Sequence, residues 1–167
     1  LALAAKIAAV AEEAGLELIH VHAAIPHAIA AALALRILGG KAPKLVTTLH
    51  GVELTLIASD LCFLGLARHG LDSSHAVTCV SEALKREVLQ EFGSRELHVI
   101  PDFLDTVPRT FKVAGSTRPG VLHISNFRPG KRIEVVLQTF ARVVREVECD
   151  LLLVGDDDVV LPDGVRA

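Results

Sequence analysis

Short apolar runs alternate along this chain with segments whose apolar residues recur at helical spacing. The alternation restricts the possible folds, because a strand, a helix and a second strand in succession form a crossover that joins two parallel strands. The pattern predicts strands at 18–22, 44–50, 76–80, 97–100, 121–125 and 150–154, and helices at 2–14, 26–38, 61–71, 82–92 and 131–147. We therefore predict an α/β fold with doubly wound parallel sheets.

Several predicted boundaries have a physical marker. Gly15 follows the first helix, where a glycine can take the left-handed conformation that ends a helix. Pro26 suits the first turn of the second helix, because the N–H that proline lacks has no helical partner there. Ser81 and Glu82 begin the helix at 82–92, and Pro101 stops the next strand.

The helical and strand periodicity fails over residues 106–118, where proline, glycine, serine and threonine are concentrated. We interpret this segment as a linker between two lobes, residues 1–105 and residues 119–167. The second lobe begins a new strand–helix–strand unit within what should be a larger sheet, so we expect it to be incomplete. The chain contains no methionine, even at position 1, and we expect it to be a piece of a longer protein.

Composition narrows the class of protein. Hydrophobic residues make up 51% of the chain and charged residues 22%, which excludes a disordered protein. A net charge of -3 gives no general attraction for nucleic acid. Cys62, Cys79 and Cys149 are far apart and flanked by apolar residues, which is typical of reduced core thiols in a cytoplasmic protein. Lys6 interrupts the apolar N-terminal run, so we expect a core helix there rather than a signal peptide. We also expect no membrane span.

A cluster of cations follows the predicted strand 121–125. Arg128, Lys131 and Arg132 lie where the next helix is predicted to begin, although the macrodipole makes a helix N-terminus unfavourable for cations. An anion held by backbone N–H groups and these side chains would compensate, and Gly130 would let the backbone approach it closely. The pattern favours a phosphate site, and a solvated basic turn is the alternative.

Histidines lie at the predicted carboxyl ends of two strands, the edge where parallel sheets bind ligands. His20 and His22 share one face of their strand, a geometry that can chelate a metal, although no cluster of carboxylates or cysteines accompanies them. Packed or hydrogen-bonded histidines are the alternative. His50 ends the next strand before Gly51, so its imidazole could project into a cleft and donate to a sugar hydroxyl or phosphate. A histidine satisfied by backbone carbonyls is the alternative there.

Over about residues 18–156 the chain resembles the retaining GT-B glycosyltransferases of family four, in particular their bacillithiol-pathway subgroup. The segments that carry the resemblance are His22-Ala-Ala-Ile-Pro-His27, Val46-Thr-Thr-Leu-His-Gly51, Val80-Ser-Glu82, Val99-Ile-Pro101 and His123-Ile-Ser-Asn-Phe-Arg-Pro-Gly-Lys-Arg132. The resemblance implies two Rossmann-like lobes, both incomplete here. It implies that N-acetylglucosamine moves from UDP-N-acetylglucosamine, on the C-terminal lobe, to L-malate, on the N-terminal lobe. It also implies that no metal or other cofactor is needed.

The resemblance implies roles for individual residues. His50 would contact the donor sugar near the reacting carbon, and Lys131 would bind the diphosphate. Asn126 stands where many members of the family have an arginine, and Arg128 is the nearest candidate to supply that charge. The remaining candidates are Ser125 and Gly155 on the donor side, and His22, Gly51 and Glu53 on the acceptor side.

The chain departs from the subgroup at three places. Ala23 stands where an aromatic residue is usual, Val52-Glu53 where Thr-Asp is usual, and Gly155-Asp-Asp-Asp158 where Gly-Asp-Gly-Pro is usual. The first two lie on the acceptor side, so another acceptor stays open. The family's glycine-rich loop and its paired glutamates would lie outside residues 1–167, so we expect this piece alone to be inactive.

Two other classes of function stay open. A metal-dependent hydrolase would hold zinc with His20 and His22 and with His50 as a further ligand. A non-catalytic sugar-nucleotide binding module would bind UDP without turnover. The oligomeric state is also open, and a homo-oligomer is one possibility.

Overall fold

The computed structural model describes residues 1–104 and 118–155. The chain divides into two compact units, Leu1–Asp105 and Thr106–Ala167. Except for residue 118, the predicted linker 106–118 lies outside the described residues. Residues 156–158 of the Gly-Asp-Asp-Asp segment, where the chain differs from the subgroup, also lie outside them. The linker therefore stays a prediction.

The first unit is a four-stranded parallel sheet with helices between its strands. The spatial order of the strands is β1 (Leu18–His22), β2 (Lys44–Leu49), β3 (Ala76–Cys79) and β4 (His98–Val99). The helices are α1 (Ala2–Ala14), α2 (Ile29–Leu38), α3 (Val52–Ser59), α4 (Cys62–Asp72) and α5 (Glu82–Phe92). A π-helical turn (Ala24–Ala28) precedes α2, and a 3₁₀ turn (Gly39–Lys41) follows it. The predicted α/β class with parallel strands is confirmed.

The two faces of this sheet carry different residues. On one face, apolar side chains such as Leu49, Val77 and Cys79 pack with residues of α3, α4 and α5 in the main core. Successive side chains of a strand point to opposite faces, so His20, His22, Thr48 and Thr78 belong to the other face. The parallel register places His22 beside Thr48, and Thr48 beside Thr78. Polar side chains from three strands therefore become neighbours.

Two predicted capping signals are confirmed. Gly15 has a φ of 59°, in the left-handed region, and ends α1. The Ser81 hydroxyl accepts a hydrogen bond from the backbone N–H of Leu84 at 3.1 Å and caps α5. Each signal depends on residues close in sequence, which is why the sequence alone was sufficient.

Two helices of the first unit differ in detail from the prediction. The helix predicted at 26–38 begins with a π-helical turn and is a regular α-helix only from Ile29. Pro26 does lie in its first helical turn, because Ile25 before it is extended. The sequence also did not predict α3. The apolar residues of Val52–Ser59 are spread around α3 rather than along one face, so the segment shows no helical period in the sequence.

The second unit contains a two-stranded parallel sheet and one helix in its described part. The elements are β5 (Gly120–Ile124), a 3₁₀ turn (Pro129–Lys131), α6 (Ile133–Val143) and β6 (Asp150–Val154). The prediction of a buried strand at 121–125 is wrong for the described residues, because Leu122 and Ile124 are 57% and 67% exposed. A strand of a parallel sheet needs cover on both faces to be buried, and the described part of this unit supplies a single helix.

One run, Ala24–Lys41, is apolar and long enough to cross a membrane by length and composition alone. The core helix of a soluble domain passes the same test, and Ala31 and Ala34 in this run are fully buried. The absence of a membrane span therefore stays a prediction. The prediction of core thiols holds for Cys79 and Cys149, which are buried, and is wrong for Cys62, which is exposed at the start of α4.

Candidate functional site

Three histidines meet at the carboxyl ends of β1 and β2, and we call His20, His22 and His50 the histidine cluster. The Nδ1 atom of His22 lies 2.9 Å from the Nε2 atom of His50, within hydrogen-bond distance. The ring centroids of His20 and His22 are 4.6 Å apart, and those of His22 and His50 are 5.2 Å apart. The sequence predicted the shared face of His20 and His22, but it did not predict the contact of His22 with His50.

A carboxylate approaches the cluster from the segment after β4. The Asp102 Oδ2 atom lies 3.8 Å from Nδ1 of His50, and the two side chains are 77% and 35% exposed. The sequence analysis missed Asp102. Its position just after a predicted strand, at the same edge of the sheet as His50, was the signal that could have found it.

His20 belongs to a line of hydrogen bonds across three strands. Its Nε2 atom lies 2.7 Å from the hydroxyl of Thr48, which lies 2.7 Å from the hydroxyl of Thr78. Burial lowers the pKa of His20, and the neighbouring His22 and His50 lower it further when they are charged. The neutral form of His20 is therefore favoured.

Glu53 holds the backbone around the cluster in place. Its side chain is 1% exposed, and its two oxygens accept hydrogen bonds from the backbone N–H groups of Ala24, at 2.9 Å, and Gly51, at 3.1 Å. Gly51 has a φ of 96°, a conformation that glycine adopts readily. Glu53 therefore supports the loops after β1 and β2, and its expected contact with the acceptor stays a prediction.

A cavity of about 480 Å³ lies against the polar face of the first sheet. Its lining includes His20, His22, Thr48, Thr78 and residues 100–103 beyond β4. Imidazole rings and hydroxyl groups supply its polar surface, Asp102 supplies a negative charge, and no lysine or arginine is among its described lining residues. Val46, Ile100 and Phe103 add apolar surface, so the cavity presents both polar and apolar groups.

The histidine cluster lacks the arrangement of a metal site. Within residues 1–104 and 118–155, no group of three or more histidines, cysteines or acidic residues has a geometry that could hold a metal ion. His22 and His50 direct one ring nitrogen each at the other. A metal-dependent hydrolase therefore has no ligand set in this part of the chain.

The predicted donor-side residues of the second unit lie at the carboxyl ends of β5 and β6. The backbone N–H of Ser125 donates to the Val154 carbonyl at 3.0 Å, and its hydroxyl accepts from the N–H of Phe127 at 3.3 Å. The Asn126 Oδ1 atom is buried and has no hydrogen-bond partner among the described residues. At Gly155 a Cβ atom would collide with the Ser125 carbonyl and the Phe127 ring. The two segments of the chain approach this closely only because residue 155 is glycine.

The cations come just before α6 rather than in its first turn. Lys131 closes the 3₁₀ turn, and Arg132 has a φ of 50°, so that α6 begins only at Ile133. The expectation that the helix begins at 131 and continues to 147 is therefore wrong, since a left-handed residue interrupts the helical backbone. Arg128 and Lys131 are exposed and form no ion pair within the described residues. We call residues 125–132 the cationic loop.

Comparison with known proteins supplies the family. Residues 1–107 match the sequence model of Glycosyltransferase Family 4. The chain belongs to this family. The match and the parallel sheets together confirm the predicted α/β fold of the GT-B type.

A curated relative gives a closer similarity than the family model. The chain is 40% identical to the N-acetyl-alpha-D-glucosaminyl L-malate synthase of Bacillus anthracis, over an alignment of 167 residues. This alignment covers 93% of the present chain but 43% of the relative, so the present chain spans less than half the length of that protein. The predicted resemblance to this subgroup is confirmed.

Proposed function

We propose that the complete protein is a retaining glycosyltransferase that moves N-acetylglucosamine from UDP-N-acetylglucosamine to L-malate in bacillithiol biosynthesis. The observation that carries the proposal is the 40% identity to the N-acetyl-alpha-D-glucosaminyl L-malate synthase, over 93% of this chain. The alignment is long enough to include both the histidine cluster and the cationic loop. We further propose a cytoplasmic location and no requirement for a metal or other cofactor.

The cationic loop would stabilise the leaving diphosphate. Negative charge develops on UDP as the bond from its phosphate oxygen to the sugar breaks, and cations fixed near that position lower the barrier. Arg128 and Lys131 are exposed and without ion pairs in the described structure, so their charges are available to an anion. The buried, unpartnered Oδ1 of Asn126 would accept a hydrogen bond from a hydroxyl or N–H group of the donor.

The histidine cluster would act at the reacting sugar. In a retaining transfer the malate hydroxyl oxygen forms its bond to the anomeric carbon on the face that UDP leaves, and its proton passes to the departing phosphate. His50 would contact the sugar near that carbon. It would donate a hydrogen bond to the oxygen that leaves with the phosphate, and this bond strengthens as negative charge develops on that oxygen. Holding donor and acceptor in this geometry supplies a further part of the rate enhancement.

A second candidate is a family-four glycosyltransferase with an acceptor other than malate. The cavity beside the histidine cluster has no lysine or arginine among its described lining residues, and Asp102 contributes a negative charge. A dicarboxylate such as malate needs cationic partners when it leaves water. A neutral hydroxyl compound would fit the imidazole and threonine groups of this cavity without them.

A transfer assay on the complete protein tests both candidates. UDP-N-acetylglucosamine is offered with L-malate, with other small hydroxy acids or with neutral polyols, and donor hydrolysis is followed as a control. Transfer to L-malate in preference to the other compounds is the expected result. Preferential transfer to a polyol would replace malate with the second candidate. UDP binding without transfer or hydrolysis would contradict both and indicate a binding module.

A further inference from the structure

Asp102 and His22 flank the two ring nitrogens of His50. Asp102 Oδ2 lies 3.8 Å from Nδ1 of His50, and Nδ1 of His22 lies 2.9 Å from its Nε2. We propose that Asp102 and His22 are positioning residues that fix the neutral His50 ring in the tautomer with its proton on Nδ1. The Nδ1–H group of His50 would then be the donor that faces the substrate.

The chemistry of the partners selects this tautomer. A carboxylate accepts hydrogen bonds and has none to donate, so a lone pair on Nδ1 of His50 would face it unfavourably. A proton on Nδ1 removes that repulsion and leaves the Nε2 lone pair to accept the N–H on Nδ1 of His22. The ring is then constrained at both nitrogens.

The two distances assign different tasks to the partners. At 2.9 Å, His22 makes a complete hydrogen bond to His50 and fixes the orientation of the ring. At 3.8 Å, Asp102 is beyond hydrogen-bond length. Its charge still favours a proton on Nδ1, but that N–H remains able to donate to a sugar oxygen.

The surrounding groups do not compete for these roles. His20 donates or accepts through Nε2 at the Thr48 hydroxyl, and its neutral form is favoured by burial. Both oxygens of Glu53 are occupied by backbone N–H groups, and His27 directs its Nδ1 at the backbone carbonyl of His22. Within the described residues, the Asp102 carboxylate lies within ion-pair distance of His50.

Nitrogen NMR of the complete protein, labelled at histidine with ¹⁵N, reads the tautomer directly. The loss of signals in His50→Gln identifies the His50 ring. We expect a protonated Nδ1 and an unprotonated Nε2 in the wild type at a pH where the ring is neutral. In Asp102→Asn the amide can donate or accept, so we expect a mixture of tautomers. A proton on Nε2 in the wild type, or an unchanged tautomer in Asp102→Asn, would overturn the inference.

The chain offers a matched control. Glu96 Oε1 lies 3.5 Å from Nε2 of His98. This exposed carboxylate–imidazole pair belongs to β4, which is the edge strand on the other side of the sheet from β1. Glu96→Gln removes the same kind of charge, and we expect it to leave the His50 signals unchanged. A response of His50 equal to that in Asp102→Asn would make the effect general, and the positioning role would be wrong.

The kinetic consequence rests on the proposed function. Because small misplacement of a reacting group costs up to about 100-fold, we expect Asp102→Asn to lower kcat between about 10- and 100-fold, with UDP affinity unchanged and partial recovery in Asp102→Glu. Wild-type kcat in Asp102→Asn would contradict the positioning role. A wild-type protein that transfers no sugar would overturn the proposed function, while the NMR measurement would still decide the tautomer.

Discussion

The histidine cluster of the first unit and the cationic loop of the second differ in how far their polar groups are already paired. In the cluster, His22 forms a hydrogen bond with His50 at 2.9 Å, and His20 forms one with the Thr48 hydroxyl at 2.7 Å. In the loop, Arg128 and Lys131 form no ion pair within the described residues, and Asn126 keeps a buried acceptor without a partner. The protein itself arranges the first group, whereas a ligand would satisfy the second.

This difference predicts opposite responses to substitution. Groups that the protein pairs in advance are suited to act on the transition state, because their orientation needs no change during the reaction. Groups that lack partners gain most when the ligand arrives, so their removal should weaken binding. The cluster should therefore appear in kcat and the loop in ligand affinity.

The largest expected effect is on turnover. His50→Ala in the complete protein should lower kcat about 100-fold or more, since it removes a donor directed at developing charge. Affinity for UDP should barely change. Steady-state transfer normalised to folded protein, paired with a melting curve, measures both. The control is His98→Ala, which removes an exposed histidine. Near-wild-type kcat in His50→Ala would sink the catalytic role.

The next effect is on ligand affinity. Lys131→Ala should weaken UDP binding by about 1.5–3 kcal/mol, the range for hydrogen bonds to charged groups. Calorimetric titration of the complete protein with UDP provides the measurement. Lys85→Ala, in α5 of the first unit, removes a lysine far from the loop in sequence and should leave the affinity unchanged. If Lys131→Ala and Arg128→Ala both bind UDP normally, the loop is a solvated basic turn.

A third effect, on stability, tests whether the cluster is prearranged by its support. Glu53→Gln replaces one carboxylate oxygen with an NH₂ group, which cannot accept from a backbone N–H. The amide left without a partner should lower the free energy of unfolding by about 1–3 kcal/mol. Denaturant unfolding compares it with Glu82→Gln, a change at an exposed glutamate that also lies in the first turn of a helix. Equal stabilities would mean that Glu53 does not hold these loops.

The sequence predicted the elements that local chemistry determines. The predicted bounds of β1, β6, α1 and α5 agree with the structure, because these segments have clear periodicity and marked ends. It failed for α3, whose apolar residues have no helical period, and for α6, where a non-glycine residue with positive φ displaces the helix start. Neither feature leaves a pattern that residue spacing can detect.

The candidate sites could be predicted as positions in the fold but not as contacts. The rule that ligands bind at the carboxyl ends of parallel strands led to the choice of His50 and residues 125–131, and the structure places both after the ends of such strands. The bond between His22 and His50 joins residues 28 apart, and it depends on the register that aligns β1 with β2. Likewise, the burial of Glu53 follows from the packing of two loops. Such long-range geometry is fixed by the tertiary structure.

Asn126 gives the smallest expected effect and the sharpest contrast with Glu53. Because its Oδ1 atom is buried without a partner, Asn126→Ala removes an unsatisfied group and should not lower the free energy of unfolding by more than about 0.5 kcal/mol, the usual limit for changes that break no specific interaction. The lost contact should instead weaken binding of UDP-N-acetylglucosamine by about 0.5–1.5 kcal/mol, the net value of a neutral hydrogen bond.

Two measurements on the same protein separate the interpretations of Asn126. Unfolding in denaturant without ligand gives the stability, and titration with UDP-N-acetylglucosamine gives the affinity. Ser125→Ala is the matched control, because its hydroxyl accepts from the N–H of Phe127 and its removal should destabilise the loop. If Asn126→Ala lost stability as Ser125→Ala does while keeping full affinity, the buried amide would be a structural part of the loop. The contrast between a prearranged cluster and a loop completed by its ligand would then fail.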